Sequence, residues 1–135
     1  MDEAEARRRF ADARVGHLAT VGVDGRPHVV PFCFAVDGDT LWSAIDHKPK
    51  TTTRLQRLDD ITDHPHVTVL VDWYSDDDWA RLWWVMARGR ARTLDDDDRG
   101  RALLMAKYVQ YRDRPLGGPF IQVALEDWRW WASSG

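Results

Sequence analysis

The densest group of anion-binding side chains in the sequence runs His47-Lys48-Pro49-Lys50-Thr51-Thr52-Thr53-Arg54. Two of the chain's three lysines fall here, just ahead of a helical pattern, and Arg57 follows one turn on. At a helix start, free backbone N–H groups, the helix dipole and these cations would converge on one spot. That combination suits a phosphate or a carboxylate. A capped helix carrying surface charges accounts for the same spacing equally well. An anion site with no nucleophile beside it points to chemistry carried by a bound cofactor.

A second group is Asp78-Trp79-Ala80-Arg81-Leu82-Trp83-Trp84-Val85. Neighbouring residues on a strand point to opposite faces, so one of Trp83 and Trp84 faces the core and the other faces away. Strand packing plus a subunit contact is the plain reading; a planar ligand is the functional one. Trp128, Trp130 and Trp131 read as core and interface. The chain has eight tryptophans, and their wide flat surfaces need burial or a flat partner.

Other candidates are weaker. His64 and His66 flank a proline and form a two-histidine metal option, but turn and strand-start histidines are commonly solvated. The run 95–98 of four aspartates opens a helix, where carboxylates complement the positive end of the dipole, so no metal site is assigned. Residues 76–78 read as a solvated acidic loop. There is no phosphate-binding Gly-rich loop, no dinucleotide fingerprint, no cysteine pair for zinc and no nucleophile elbow.

The elements that must position these groups follow from hydropathy period and turn chemistry. Residues 2–13 form a short amphipathic helix. Strands are expected at 15–21, 27–36 and 41–45, with turns at 22–25 and 37–39, which reads as an antiparallel meander. A helix follows over 51–60, then strands at 66–73 and 81–94, the latter bending at Gly89. A helix at 95–107, a Tyr-, Arg- and Gly-rich connection and a strand at 120–131 complete the chain. The sum is a mainly β single domain over 1–135, expected as a six-stranded antiparallel split barrel with about three flanking helices.

Length and composition agree. The 135 residues are 44% hydrophobic and 30% charged, with a net charge of −3. That is enough apolar material for one core, and the acidic balance argues against a general nucleic-acid binder. No apolar run is long enough to span a bilayer, no charged-then-apolar leader is present, and the single Cys33 fits a reducing compartment. The expectation is a cytoplasmic protein with no membrane or nucleic-acid partner.

Three stretches, in order, resemble the split β-barrel flavin and deazaflavin oxidoreductases, the pyridoxamine-phosphate-oxidase-like superfamily. The first is Leu18-Ala19-Thr20-Val21, then Asp24-Gly25-Arg26-Pro27-His28-Val29-Val30-Pro31, then Phe32-Cys33-Phe34 and Asp37-Gly38-Asp39. The second covers 48–58. The third is Val67-Thr68-Val69-Leu70-Val71-Asp72 and the Trp-rich strand ending Ala87-Arg88-Gly89-Arg90-Ala91. Within that superfamily the Lys-Pro-Lys-Thr stretch and the Asp-Trp-x-x-Leu-Trp-Trp-Val pattern look most like the actinobacterial coenzyme F(420)-dependent branch.

The resemblance implies a homodimer whose cofactor lies in an interface groove, where a hydride passes between a deazaflavin and a small organic substrate. It implies main-chain groups of Pro27, His28, Val29, Val30, Pro31 and Phe32 along the ring system. Lys48, Lys50, Thr51, Thr52, Thr53 and Arg54 would take the phosphate, and Trp79, Arg81 and Trp84 would border the ring or tail. FMN is the alternative cofactor. A haem-binding protein with His28 as axial ligand, or a cofactor-binding protein without turnover, is the further alternative. No catalytic acid or base is assigned; Tyr108, Tyr111 and His28 are the available proton donors.

Overall fold

A computed structural model describes residues 1–45, 52–114 and 116–133, with 52–56 as backbone only. Helix α1 (Glu3–Asp12) begins at Asp2, whose carboxylate accepts the Glu5 N–H at 2.9 Å, and buries Ala6 and Phe10. Strands β1 (Gly16–Val21) and β2 (Pro27–Phe32) form one hairpin; β3 (Ala35–Asp37) and β4 (Thr40–Ala44) form another. The second turns at Gly38, whose φ of 59° is a conformation glycine adopts without strain. Helix α2 (Thr52–Asp63) leads to β5 (His66–Trp73), a 3₁₀ turn at Trp79–Arg81 and β6 (Trp83–Leu94). Helices α3 (Asp98–Lys107) and α4 (Gln110–Asp113) precede β7 (Phe120–Ala132).

All seven strands belong to one antiparallel sheet in the order β2-β1-β5-β6-β7-β4-β3. The expected six strands are therefore seven, because 27–36 is two strands rather than one. The expected meander is also corrected: β2 and β3 lie on opposite edges of the sheet, although only Cys33 and Phe34 separate them. Two residues span only about 7–10 Å, so the sheet must curl until its edges approach. No ladder pairs β2 with β3 among the described residues, so the wall is interrupted there.

The cause of the break lies in Phe34. Its ring is fully buried, 5.3 Å from both Phe10 and Phe32. Its backbone leaves the ladder and is satisfied from the end of α3. The Phe34 N–H donates to Tyr108 Oη at 3.1 Å, and its carbonyl accepts from Lys107 Nζ at 2.8 Å. Partners 74 and 73 residues away do not register in local periodicity.

The fourth helix, α4, lies inside the Tyr- and Arg-rich connection. It is a single turn, too short to show a period, and contains Arg112, whose guanidinium donates to the carbonyls of Met105 and Ala106. The acidic run behaves as expected: Asp97 caps α3, accepting the Gly100 N–H at 2.9 Å, and its other oxygen takes Trp42 Nε1 at 3.0 Å. Asp96 and Asp98 both pair with Arg101.

The main core lies inside the curl. Phe10 from α1 and Ile61 from α2 pack against Leu18, Val69, Val71, Val85 and Val123. A second cluster sits outside β3 and β4, where Leu104 of α3 covers Trp42, Ala44 and Phe120. The bend predicted at Gly89 is present as a register shift between Arg88 and Gly89. A Cβ at Gly89 would lie 2.1 Å from the Ala124 carbonyl oxygen.

Candidate functional site

Strand β2 pairs with β1 on one side only. Backbone groups of an antiparallel strand alternate between the partner and the free side. Pro27 and Pro31 lack N–H groups and occupy the free-side phase, which blunts the edge against further pairing. Val29 shares that phase, so its N–H and the carbonyls of 27, 29 and 31 face away from β1. Val29 is 63% exposed. His28, Val30 and Phe32 have the opposite phase; Phe32 is buried, and a Cβ on Gly22 would lie 3.1 Å from His28 Nε2.

The registers extend this outward surface across four more strands. Pro31 lies opposite His17, His17 opposite Leu70, Leu70 opposite Met86 and Met86 opposite Arg129. A parallel row runs Val29, Ala19, Thr68, Arg88 and Asp127, and Asp72, Trp84 and Trp131 make a third. Helices α1 and α2 pack on the inner side and α3 on β3 and β4. Among the described residues this outward face therefore carries no helix.

An apolar groove of about 360 Å³ opens on it, lined by Leu70, Asp72, Trp73, Tyr74, Leu82, Trp83, Trp84, Met86 and Trp131. That volume is within the usual range for small-molecule sites. Trp84 thus lies where a flat ligand would find indole and thioether surface. Leu70, Met86 and Trp131 escape a sequence-based search for site residues, yet they leave a signal: apolar residues on the polar phase of half-buried strands, alternating with Thr68, Asp72 and Arg88.

The other expected site residues fall in different places. Trp79 is 64% exposed on the 3₁₀ turn and lines neither the groove nor its neighbour. Arg81 stacks over Trp73, 5.2 Å from the ring centroid, in a separate cavity on the inner side of the sheet. Trp83 packs on the core and Trp84 faces out, as their adjacency requires. Trp128 and Trp130 pack against the core, whereas Trp131 is 47% exposed.

Lys48, Lys50 and Thr51 lie outside the described residues, and Thr52, Thr53 and Arg54 are placed only as the backbone of the first turn of α2. One turn further, Arg57 is half-buried and its Nε has no hydrogen-bond acceptor among the described residues. Burial lowers its pKa from the ordinary arginine value. A cation withdrawn from water is costly, and an anion beside it relieves that cost.

Of the possible proton donors, Tyr108 is engaged in the crossover. Its hydroxyl receives the Phe34 N–H and lies 3.0 Å from the carbonyls of Arg14 and Phe34, and burial raises its pKa. Lys107 beside it donates to the carbonyls of Ala11, Ala13 and Phe34 at 2.7–3.0 Å. Burial, helped by the Arg14 cation, pushes its pKa down to about 8. Both are clamps on the fold and stand apart from the groove. No cluster of three or more metal-ligating side chains occurs among the described residues, and no helix among them is long and apolar enough to cross a membrane.

Similar folds occur among solved structures. The conserved hypothetical protein Rv2991 from Mycobacterium tuberculosis is 22% identical, with a TM-score of 0.75 over 98% of this chain and 85% of that one. A FAD-binding protein from Mesorhizobium loti is 21% identical, with a TM-score of 0.70 over 96% and 94%. A heme binding protein from Mycobacterium smegmatis is 18% identical, with a TM-score of 0.75 over 97% of this chain and 54% of that one. No curated protein matches. The family model described as pyridoxamine 5'-phosphate oxidase matches residues 2–132, so the chain belongs to that family.

Proposed function

We propose that this protein is a coenzyme F(420)-dependent oxidoreductase that works as a homodimer, with the deazaflavin held in a groove where the outward faces of two copies meet. The observation that carries the reading is the bare outward face: an apolar groove beside Trp84, Met86 and Trp131, on the same face as the free edge of β2. A second copy laid against it would remove from water the exposed Val29 and Trp131. Arg57, half-buried and without an acceptor for its Nε among the described residues, supports an anion near the start of α2, where Lys48, Lys50 and Thr51 to Arg54 would complete the phosphate site.

When bound, a deazaflavin supplies a hydride at the ring carbon that replaces the flavin N5. The protein's own work is then positioning and dehydration. Trp84, Met86 and Leu70 offer a flat apolar bed, the free main-chain groups at 27, 29 and 31 offer hydrogen bonds to ring edges, and closure of the groove keeps water out. No acid–base pair is required of the side chains.

FMN or FAD is the second reading, favoured by the fold shared with a protein described as FAD-binding. Haem is the third. On the outward face His17 would hold the haem iron rather than His28, whose phase is inward.

The phosphate assignment has its own test. In the Lys48→Ala/Lys50→Ala double variant, F(420) binding should weaken by about 1.5–3 kcal/mol for each charge-assisted hydrogen bond removed. Unchanged affinity by fluorescence titration would place the anion site elsewhere.

A further inference from the structure

On the inner side of the sheet, beneath the ends of β5, β6 and β7, lies a second cavity of about 450 Å³. Its walls are Trp73 and Trp83, with Leu82 and Ala132 beside them and α1 supplying Arg9. The alternation of the strands places it behind the outward groove. The two share only the lip formed by Trp73, Leu82 and Trp83.

Two guanidinium groups enter the cavity, each stacked on an indole: Arg81 over Trp73 at 5.2 Å and Arg9 over Trp83 at 5.4 Å. Stacking holds the planar fork in place and leaves its N–H edge free to hydrogen-bond. Their charges are not equivalent. Arg9 shares the Glu5 carboxylate with Arg8: its Nε lies 2.8 Å from Oε1, and Arg8 Nη2 lies 2.6 Å from the same oxygen. Arg81 has no carboxylate partner among the described residues. The cavity thus combines two indole-stacked forks with more positive charge than the shared Glu5 offsets.

We propose that this cavity is a binding site for a flat carboxylate, such as an aromatic or conjugated acid. A guanidinium fork matches the two oxygens of a carboxylate. The guanidinium planes, each backed by an indole, provide the stacking surface for the flat body of the ligand. The site is separate from the cofactor groove and stands whichever cofactor the chain takes.

Calorimetric titration with 2-naphthoate and with neutral 2-naphthalenemethanol, without cofactor, tests this. The parent should bind naphthoate more tightly than the alcohol. Arg81→Gln, on an exposed side chain that folding does not need, should weaken naphthoate binding by about tenfold, the scale of one charge-assisted hydrogen bond, and leave the alcohol within about twofold. Trp84→Leu, on the opposite side of the sheet, should leave naphthoate binding unchanged. Equal binding of acid and alcohol, no binding of either, no effect of Arg81→Gln, or a weakening in Trp84→Leu as large as in Arg81→Gln would each overturn the proposal.

Discussion

Lys107 shows how one side chain decides where a chain turns. Its ammonium joins the end of α1 to the β2–β3 crossover by donating to three carbonyls, two of them at residues 11 and 13. Lys107→Met keeps the apolar stem and removes all three donors, so it should destabilise the fold by about 2–3 kcal/mol in denaturant unfolding. The pH dependence has a definite sign. Below about pH 8 the folded and unfolded chains both hold the proton, and the folded state bears the full cost of burying the charge. Between about 8 and the ordinary value of 10.5 only the unfolded chain holds it, so stability attributable to this group rises with pH across that window. Lys107→Met should lack the rise, and a variant that kept it would assign the effect to another group. From sequence, Lys107 is an unremarkable basic residue in the last turn of a helix; its acceptors lie 73 to 96 residues away.

At the level of elements, period and turn chemistry placed most of the sheet correctly. The strand at 66–73 has the observed bounds, and the bend at Gly89 was readable because an isolated glycine inside a strand marks close backbone approach. Gly89→Val would drive a side chain into the Ala124 carbonyl. It should cost about 2 kcal/mol or more and lower the midpoint of thermal unfolding by several degrees; an unchanged midpoint would show that the bulge can migrate. Hidden from local reading were the break at Cys33–Phe34 and the edge positions of β2 and β3, which distant partners set, and α4, a single turn too short to show a period. The candidate site was legible in part for the same reason. That one of Trp83 and Trp84 faces outward follows from strand alternation, whereas which of them does, the free edge of β2 and the division between the groove of Trp84 and the cavity of Arg81 need the sheet to be built first.

For the whole molecule, the consequence is an asymmetry between the two sides of the sheet. The inner side is filled by α1 and α2 and, beyond the core, opens into the arginine-lined cavity; the outer side is covered by α3 only over β3 and β4. In the function proposed above, the bare outer side is a surface shared between copies that also holds a flat cofactor in its apolar groove. The most direct measurement is sedimentation velocity of the protein with F(420) and, in parallel cells, with FMN and haemin, followed in each ligand's own absorbance band. The account predicts F(420) travelling with a species of twice the 15.6 kDa chain mass, in preference to FMN and haemin. FMN travelling with the dimer in its place would keep the site and replace the cofactor. A monomer binding none of the three would contradict the account.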